Sequence, residues 1–262
     1  MLISKLTSDQ ASRLIGKIDT IIIPVGTIEP HGPHCSVLCD AIIPERLAEE
    51  VDKIAGDRIF VGPCIPYGHT WELRDLPGAH YVPRDAFTNY VFEVIKGFQK
   101  WGIKYVILLN GHGSVGFGSG GNIEPLHAAA ERATELGIKT LVLLWCFDTE
   151  ALKGITGDVD GHAGEAETSI LWYYGQEYVD RKIIPNEHGY YSAKTAVTLN
   201  DTFDQKLNPK IWPRAYWGTP NKASAEKGKQ LSEKLAHCFV EAIDALRSES
   251  LIAPYHPEPS KD

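Results

Sequence analysis

The chain has 262 residues, 26 Lys+Arg against 34 Asp+Glu for a formal net charge of -8, and 43% apolar residues, which suits one large or two small globular domains. An acidic balance without a basic block opposes phosphate backbones and anionic lipid, so nucleic acid and membrane surfaces are excluded as first partners. The longest apolar runs, such as Thr140 to Phe147, fall far short of the roughly 20 residues a spanning helix needs, and Met1 to Ser8 carries no apolar stretch of the export-signal kind, so the expected location is cytoplasmic.

In chain order, Thr20 to Val25 reads as a first buried strand, followed by a helix starting near Pro44, a residue pre-organised for a first helical turn. Arg58 to Val61 gives a second strand. Asp85 to Lys100 places Phe87, Tyr90, Val91, Val94, Ile95 and Phe98 at helical spacing, and Tyr105 to Leu109 forms a third strand. A helix over about Asn122 to Leu136 leads to a fourth strand, Lys139 to Leu144. A shorter helix near Glu165 to Tyr174 and a long one near Lys222 to Leu246 follow. Alternating strands and amphipathic segments predict βαβ units around a mostly parallel sheet. No linker or repeat divides the chain, so a single domain over 1–262 is expected, with a surface tail from about Ala253.

Ligands of an open parallel sheet sit at the carboxyl ends of its strands. Unusual residues fall there. Glu29, His31, Gly32 and His34 follow the first strand, with Asp40 shortly after, and Asn110-Gly111-His112-Gly113 follows the third. Past the fourth comes Gly161-His162-Ala163-Gly164-Glu165-Ala166-Glu167. Glu29 and His31, two apart, share one side of an extended segment. Imidazole with carboxylate suits a divalent ion of the zinc, manganese or iron type. Glu29, His31, Asp40, His112 and Glu167 exceed what one open site needs, and suit two metals bridged by one carboxylate. The flanking glycines allow close backbone approach.

Two other readings compete. Gly111 to Gly116 fits G-x-G-x-x-G after a strand, but glycines continue to Gly121, the helix starts too late to face a phosphate, and no acidic residue about 20 positions on sits at the end of the next strand, where Asp148 comes 32 positions after Gly116. A non-catalytic metal- or nucleotide-binding α/β protein is the alternative class. The five cysteines, at 35, 39, 64, 146 and 238, include no CxxC pair and read as reduced thiols. Cys35 and Cys39 read as small buried side chains rather than a zinc knuckle.

Together these segments resemble the creatininase family of metal-dependent amidohydrolases. The resemblance rests on Pro24-Val25-Gly26 with Glu29, His31, Gly32 and Asp40; Asn110-Gly111-His112-Gly113; His162-Ala163-Gly164-Glu165 with Glu167-Thr168-Ser169; and Trp217-Gly218-Thr219-Pro220 with Ala223 to Gly228. It implies a three-layer α/β/α sandwich, two divalent metals (Zn, Mn or Fe) and a homo-oligomer, usually a hexamer. It further implies that Glu29 and His112 bind one metal and His31 and Glu167 the other, with Asp40 bridging. His162 becomes the acid/base residue and Glu165 its orienter or proton relay. The implied reaction is hydrolysis at a carbonyl of a small molecule.

Family members open creatinine, deformylate a pyrimidine intermediate, trim a cofactor precursor peptide or open an oxidised inositol. Three departures from creatininase bear on the choice. Ser114 stands where creatininase has a metal-binding glutamate, Phe147 and Asp158 replace the tryptophans that enclose creatinine, and the Pro-Gly-Thr segment reads Pro77-Gly78-Ala79-His80-Tyr81. His69, Trp71, Arg74 and His80, with Phe147, make a candidate lining suited to hydroxyls or a carboxylate. The substrate is expected to be a small polar cyclic amide, with an oxidised inositol cleaved at a carbon–carbon bond, or a formamide, as alternatives.

Overall fold

The computed structural model describes residues 1–71, 73–113, 121–147, 149–157, 160–187, 189 and 214–249. Thr20–Val25 forms β1, every residue of it buried, as expected of a strand covered on both faces. It pairs in parallel with β2 (Phe60–Val61) on one side and β3 (Tyr105–Asn110) on the other, and β3 pairs in parallel with β4 (Lys139–Leu144). The order among the described residues is β2-β1-β3-β4. Strand direction of growth therefore reverses between β1 and β3, and the loops leaving their carboxyl ends open a crevice there.

Among the described residues the helices are α1 (Ser8–Leu14), α2 (Cys39–Ala55), α3 (Arg84–Phe98), α4 (Ile123–Thr134), α5 (Thr149–Leu152), α6 (Glu165–Tyr174) and α7 (Ala225–Arg247). Strand alternation splits the core. Ile22, Ile107 and Leu109 pack with Ile43 and Leu47 of α2, Ile170 of α6 and Leu231 and Leu235 of α7. Ile21, Ile23, Val25, Val106 and Leu108 pack with Phe87, Val91 and Ile95 of α3 and Leu126 and Ala129 of α4. The result is the expected α/β/α sandwich. Right-handed crossovers account for the split: β1 to β2 and β3 to β4 run in opposite directions along the sheet, so α2 and α4 must lie on opposite faces.

Several boundaries differ from expectation for local reasons. The second strand is only Phe60–Val61, because Gly56–Arg58 before it is a tight helical turn and beyond it Ile65 meets β1 only as an isolated bridge to Val25. Gly26 N–H donates to the Ile65 carbonyl and Ile65 N–H to the Pro24 carbonyl, each at 2.9 Å. Tyr90 faces solvent at 56% exposure, while Phe87, Val91 and Ile95 carry the buried stripe of α3. The helix after β1 does not start near Pro44. It starts at Cys39, and Pro44 lies within it.

Pro44 has no N–H to return to the Asp40 carbonyl one turn earlier, and Gly111 from the β3 loop seats against that carbonyl. A Cβ on Gly111 would lie 1.9 Å from Asp40 O and 2.8 Å from Pro44 Cδ. Gly111→Ala is accordingly expected to lower stability by about 1–3 kcal/mol or more, read as a lower urea midpoint. An unchanged midpoint would show that the β3 loop does not rest on α2 in this way. The tail from about Ala253 lies outside the described residues. Among the described residues no helix is long and apolar enough to cross a membrane.

Candidate metal centre and its family

Four segments converge at the crevice. The loop after β1 brings Thr27, Glu29 and His31, the first turn of α2 brings Cys39 and Asp40, the loop after β3 brings His112, and α6 with its preceding loop brings His162 and Glu167. Asn122, fully buried, ties the loop after β1 to the Asn110 side chain and to the segment that carries His69. Its amide donates to the Gly26 carbonyl and to Asn110 Oδ1, each at 3.1 Å, and its oxygen accepts the His69 N–H at 2.8 Å.

The donor atoms form two groups that share one carboxylate. Asp40 Oδ2 lies 3.0 Å from His112 Nδ1, which is itself 3.2 Å from Glu29 Oε2. Asp40 Oδ1 lies 3.0 Å from His31 Nε2, which is 3.6 Å from Glu167 Oε2. His31 Nε2 nevertheless makes no hydrogen bond, and Glu29 Oε1 and His112 Nε2 are also buried without partners. Such groups are costly to bury unless something else satisfies them. The orphaned atoms and the nitrogen-oxygen donor set both fit divalent cations.

Outer contacts fix the donors. Thr27 Oγ1 donates to Asp40 Oδ2 at 2.8 Å and Thr70 Oγ1 to Glu29 Oε2 at 2.6 Å. The Glu29 carbonyl meets His31 Nδ1 at 3.2 Å, which turns Nε2 toward Asp40. Ala163, in the left-handed region at φ 51, donates its N–H to Glu167 Oε2.

Electrostatics show what the cluster demands. Burial alone would lower the His31 imidazole, but Asp40 and Glu167 outweigh it and hold His31 at about 10. Glu29 and Asp40 likewise hold His112 well above its usual range against burial. Asp40 sits well below the carboxylate range despite burial, because His31 and His112 face it. Burial, with Asp40 adding to it, lifts Glu167 to about 8 against the pull of His31. Without metal, the His31 and His112 imidazoliums face the Asp40 carboxylate, and cation binding displaces such protons.

His162 differs. Its Nε2 meets the Pro30 carbonyl at 2.7 Å, Nδ1 lies 3.6 Å from Glu29 Oε1, and its ring centroid is 4.2 Å from that of His31. Burial and the neighbouring His31 lower it to about 4. Glu165 does not take up the expected position as orienter: its described partners are Gly157 N–H at 3.0 Å and Lys227 Nζ. Asp160, which no motif in the sequence marks, accepts the N–H groups of Glu165 and Ala166 at 2.6 and 2.7 Å and so fixes the start of α6.

The candidate lining is only partly brought together. His69 is buried with Nδ1 on the Val82 carbonyl at 2.9 Å. His80 is exposed, but its N–H donates to the Ile28 carbonyl at 2.8 Å, beside the loop that carries Glu29 and His31. Arg74 is turned back on its own loop, with the guanidinium 3.3 Å over the Trp71 ring and donating to the Trp71 carbonyl. It is therefore spent within that loop rather than presented to a ligand. Ser114, Asp158 and the Phe147 side chain lie outside the described residues. Trp217 rests its ring on Gly161, and its backbone N–H donates to the His162 carbonyl at 2.6 Å.

With this geometry in place, comparison with known proteins defines the class. The creatininase family model, described as creatinine amidohydrolase, matches residues 4–243, and the chain belongs to that family, one of metal-dependent hydrolases. A 3-dehydro-scyllo-inosose hydrolase of Thermotoga maritima is 38% identical over 109 residues, 41% of this chain and 34% of that protein. A mycofactocin precursor peptide peptidase of Mycobacterium ulcerans is 25% identical over 270 residues, 98% of this chain and 94% of its own. The match thus spans about a third of the first relative's length and nearly all of the second's. Among solved structures, a mutant creatininase of Zn-Zn type has a TM-score of 0.77 at 20% identity, covering 95% of this chain and 97% of its own. A manganese creatininase has a TM-score of 0.75 at 22% identity, covering 95% and 98%. At these identities the structures establish the shared fold.

Proposed function

We propose that the chain is a dinuclear hydrolase in which Glu29, Asp40 and His112 hold one divalent cation, His31, Asp40 and Glu167 hold the other, and Asp40 bridges. The observation that carries this reading is the division of the Asp40 carboxylate, one oxygen 3.0 Å from each of two histidines on different segments. When bound, such a cation pair lowers the pKa of water toward about 7 and polarises a carbonyl.

The chain's own residues do the rest. Glu29 and Asp40 are held in place by Thr70 and Thr27. His162, fixed through Nε2 by Pro30, leaves Nδ1 facing the carboxylates, where it accepts a proton from the attacking water and returns it to the leaving group. Glu165, tied to Lys227 and Gly157, holds the loop that carries His162.

The substrate proposed is small, polar and cyclic, opened at an amide. A second reading, carbon–carbon cleavage of a cyclic polyol ketone, is favoured by the 38% identical segment shared with the inosose hydrolase and by the polar loop that joins Thr70 to Glu29. A panel of creatinine, a formamidopyrimidine, an oxidised inositol and a short peptide, assayed with zinc- and manganese-loaded protein, tests both. Metal-dependent opening of a cyclic compound is expected. Cleavage of the peptide alone would replace the proposal with a peptidase, and turnover of none would count against both readings.

A further inference from the structure

We infer that Cys39 supplies a sulfur ligand to the second cation position, beside His31, Asp40 and Glu167, and that this position is thereby built for zinc over manganese. The inference rests on the dinuclear reading above and adds to it a ligand on which that reading does not depend.

Cys39 is the first residue of α2, fully buried and adjacent to Asp40. Its Sγ, a His31 ring nitrogen and a Glu167 carboxylate oxygen all lie within 4.8 Å of one another. His31 Nε2 is buried there, 3.0 Å from Asp40 Oδ1 but without hydrogen-bond geometry to satisfy it. Neighbouring thiols have other engagements: Cys35 Sγ lies 3.5 Å from Thr168 Oγ1, and Cys64 Sγ donates toward the Ala41 carbonyl at 3.6 Å.

The other position, Glu29, Asp40 and His112, offers only oxygen and nitrogen. The two positions therefore differ in softness. Thiolate favours zinc, whereas carboxylate-rich sets serve manganese as well. On coordination the sulfur–metal bond forms and the thiol proton leaves to solvent, with no change of oxidation state.

The test uses the full chain, stripped with chelator and reloaded with cobalt(II) alone. The expected result is about two cobalt ions per chain and a near-ultraviolet sulfur-to-cobalt charge-transfer band. That band should vanish in Cys39→Ser and persist in Cys35→Ser and Cys146→Ser. Zinc affinity at the second position should fall in Cys39→Ser by at least the roughly 10–100-fold that even outer partners contribute, with manganese affinity changed less.

Cobalt bound by the native chain without the band, or a band that survives Cys39→Ser, overturns the inference and leaves the dinuclear reading intact. No cobalt uptake by the native chain overturns both. If Cys39→Ser does not fold, zinc-edge X-ray absorption on the native chain decides instead. A zinc–sulfur distance of about 2.3 Å beside nitrogen and oxygen at about 2.0–2.2 Å supports the ligand, and a nitrogen-oxygen shell alone removes it.

Discussion

An Asp40→Ala chain is expected to retain neither cation and to lose hydrolysis altogether, a larger effect than any other single truncation at the site. Asp40 is the residue that both donor groups share, with Oδ1 on the His31 side and Oδ2 on the His112 side. The loss should exceed the roughly 10–100-fold in metal affinity typical of an outer partner. Stability of the metal-free protein should fall as well, since removing one member of a buried ion pair costs about 3–5 kcal/mol. Part of that cost is avoidable, because His31 and His112 can release the protons that Asp40 now helps to hold.

Elemental analysis after gel filtration separates the bridge from the terminal ligands. The native chain should carry about two ions and Asp40→Ala none. Glu29→Gln and Glu167→Gln should each keep about one, because Glu29 Oε2 stands beside His112 and Glu167 Oε2 beside His31. Two ions retained by Asp40→Ala would refute the bridging assignment.

The parts legible in the sequence are those written in local chemistry. The apolar run of β1 and the spacing within α6 need no partner to be recognised, and both match in their bounds. The five ligand candidates stand in the sequence as histidines and acids in or beside glycine-bearing loops at strand ends, where an open parallel sheet holds its ligands. The start of α2 was hidden because Pro44 reads as a first-turn residue, and only contact with Gly111 explains its place in the helix interior. α1 buries no residue and so has no apolar stripe to detect, although its Thr7 and Gln10 capping box was a usable signal.

The outer contacts were illegible for a different reason. Thr70 reaches Glu29 across 41 positions and Asn122 reaches Gly26 across 96, and neither residue type marks itself by spacing. Arg74 shows the converse: a charged side chain near the crevice in sequence is consumed by the ring next to it. What a loop carries is readable from one sequence, but what its side chains have already bonded to is a property of the folded chain.

His162→Ala is expected to leave the metal content near two ions per chain while lowering kcat by roughly 10²–10⁴, the usual contribution of a positioned acid or base. The argument rests on the way its two nitrogens divide. Nε2 is held at 2.7 Å from the Pro30 carbonyl, so the proton stays on that atom and Nδ1 faces Glu29 Oε1 with its lone pair. Burial and His31 hold the ring neutral near pH 7, the state a base needs before it accepts a proton. Neither Asp40 nor Glu167 depends on His162 for position, since Thr27 and the Ala163 N–H hold them. Metal should therefore stay when the ring is removed. Parallel metal analysis and steady-state kinetics on a substrate from the panel check this. Loss of an ion together with activity would make His162 a ligand in company with Glu29 and His31, a grouping the geometry also permits. Full activity would remove it from the proton path.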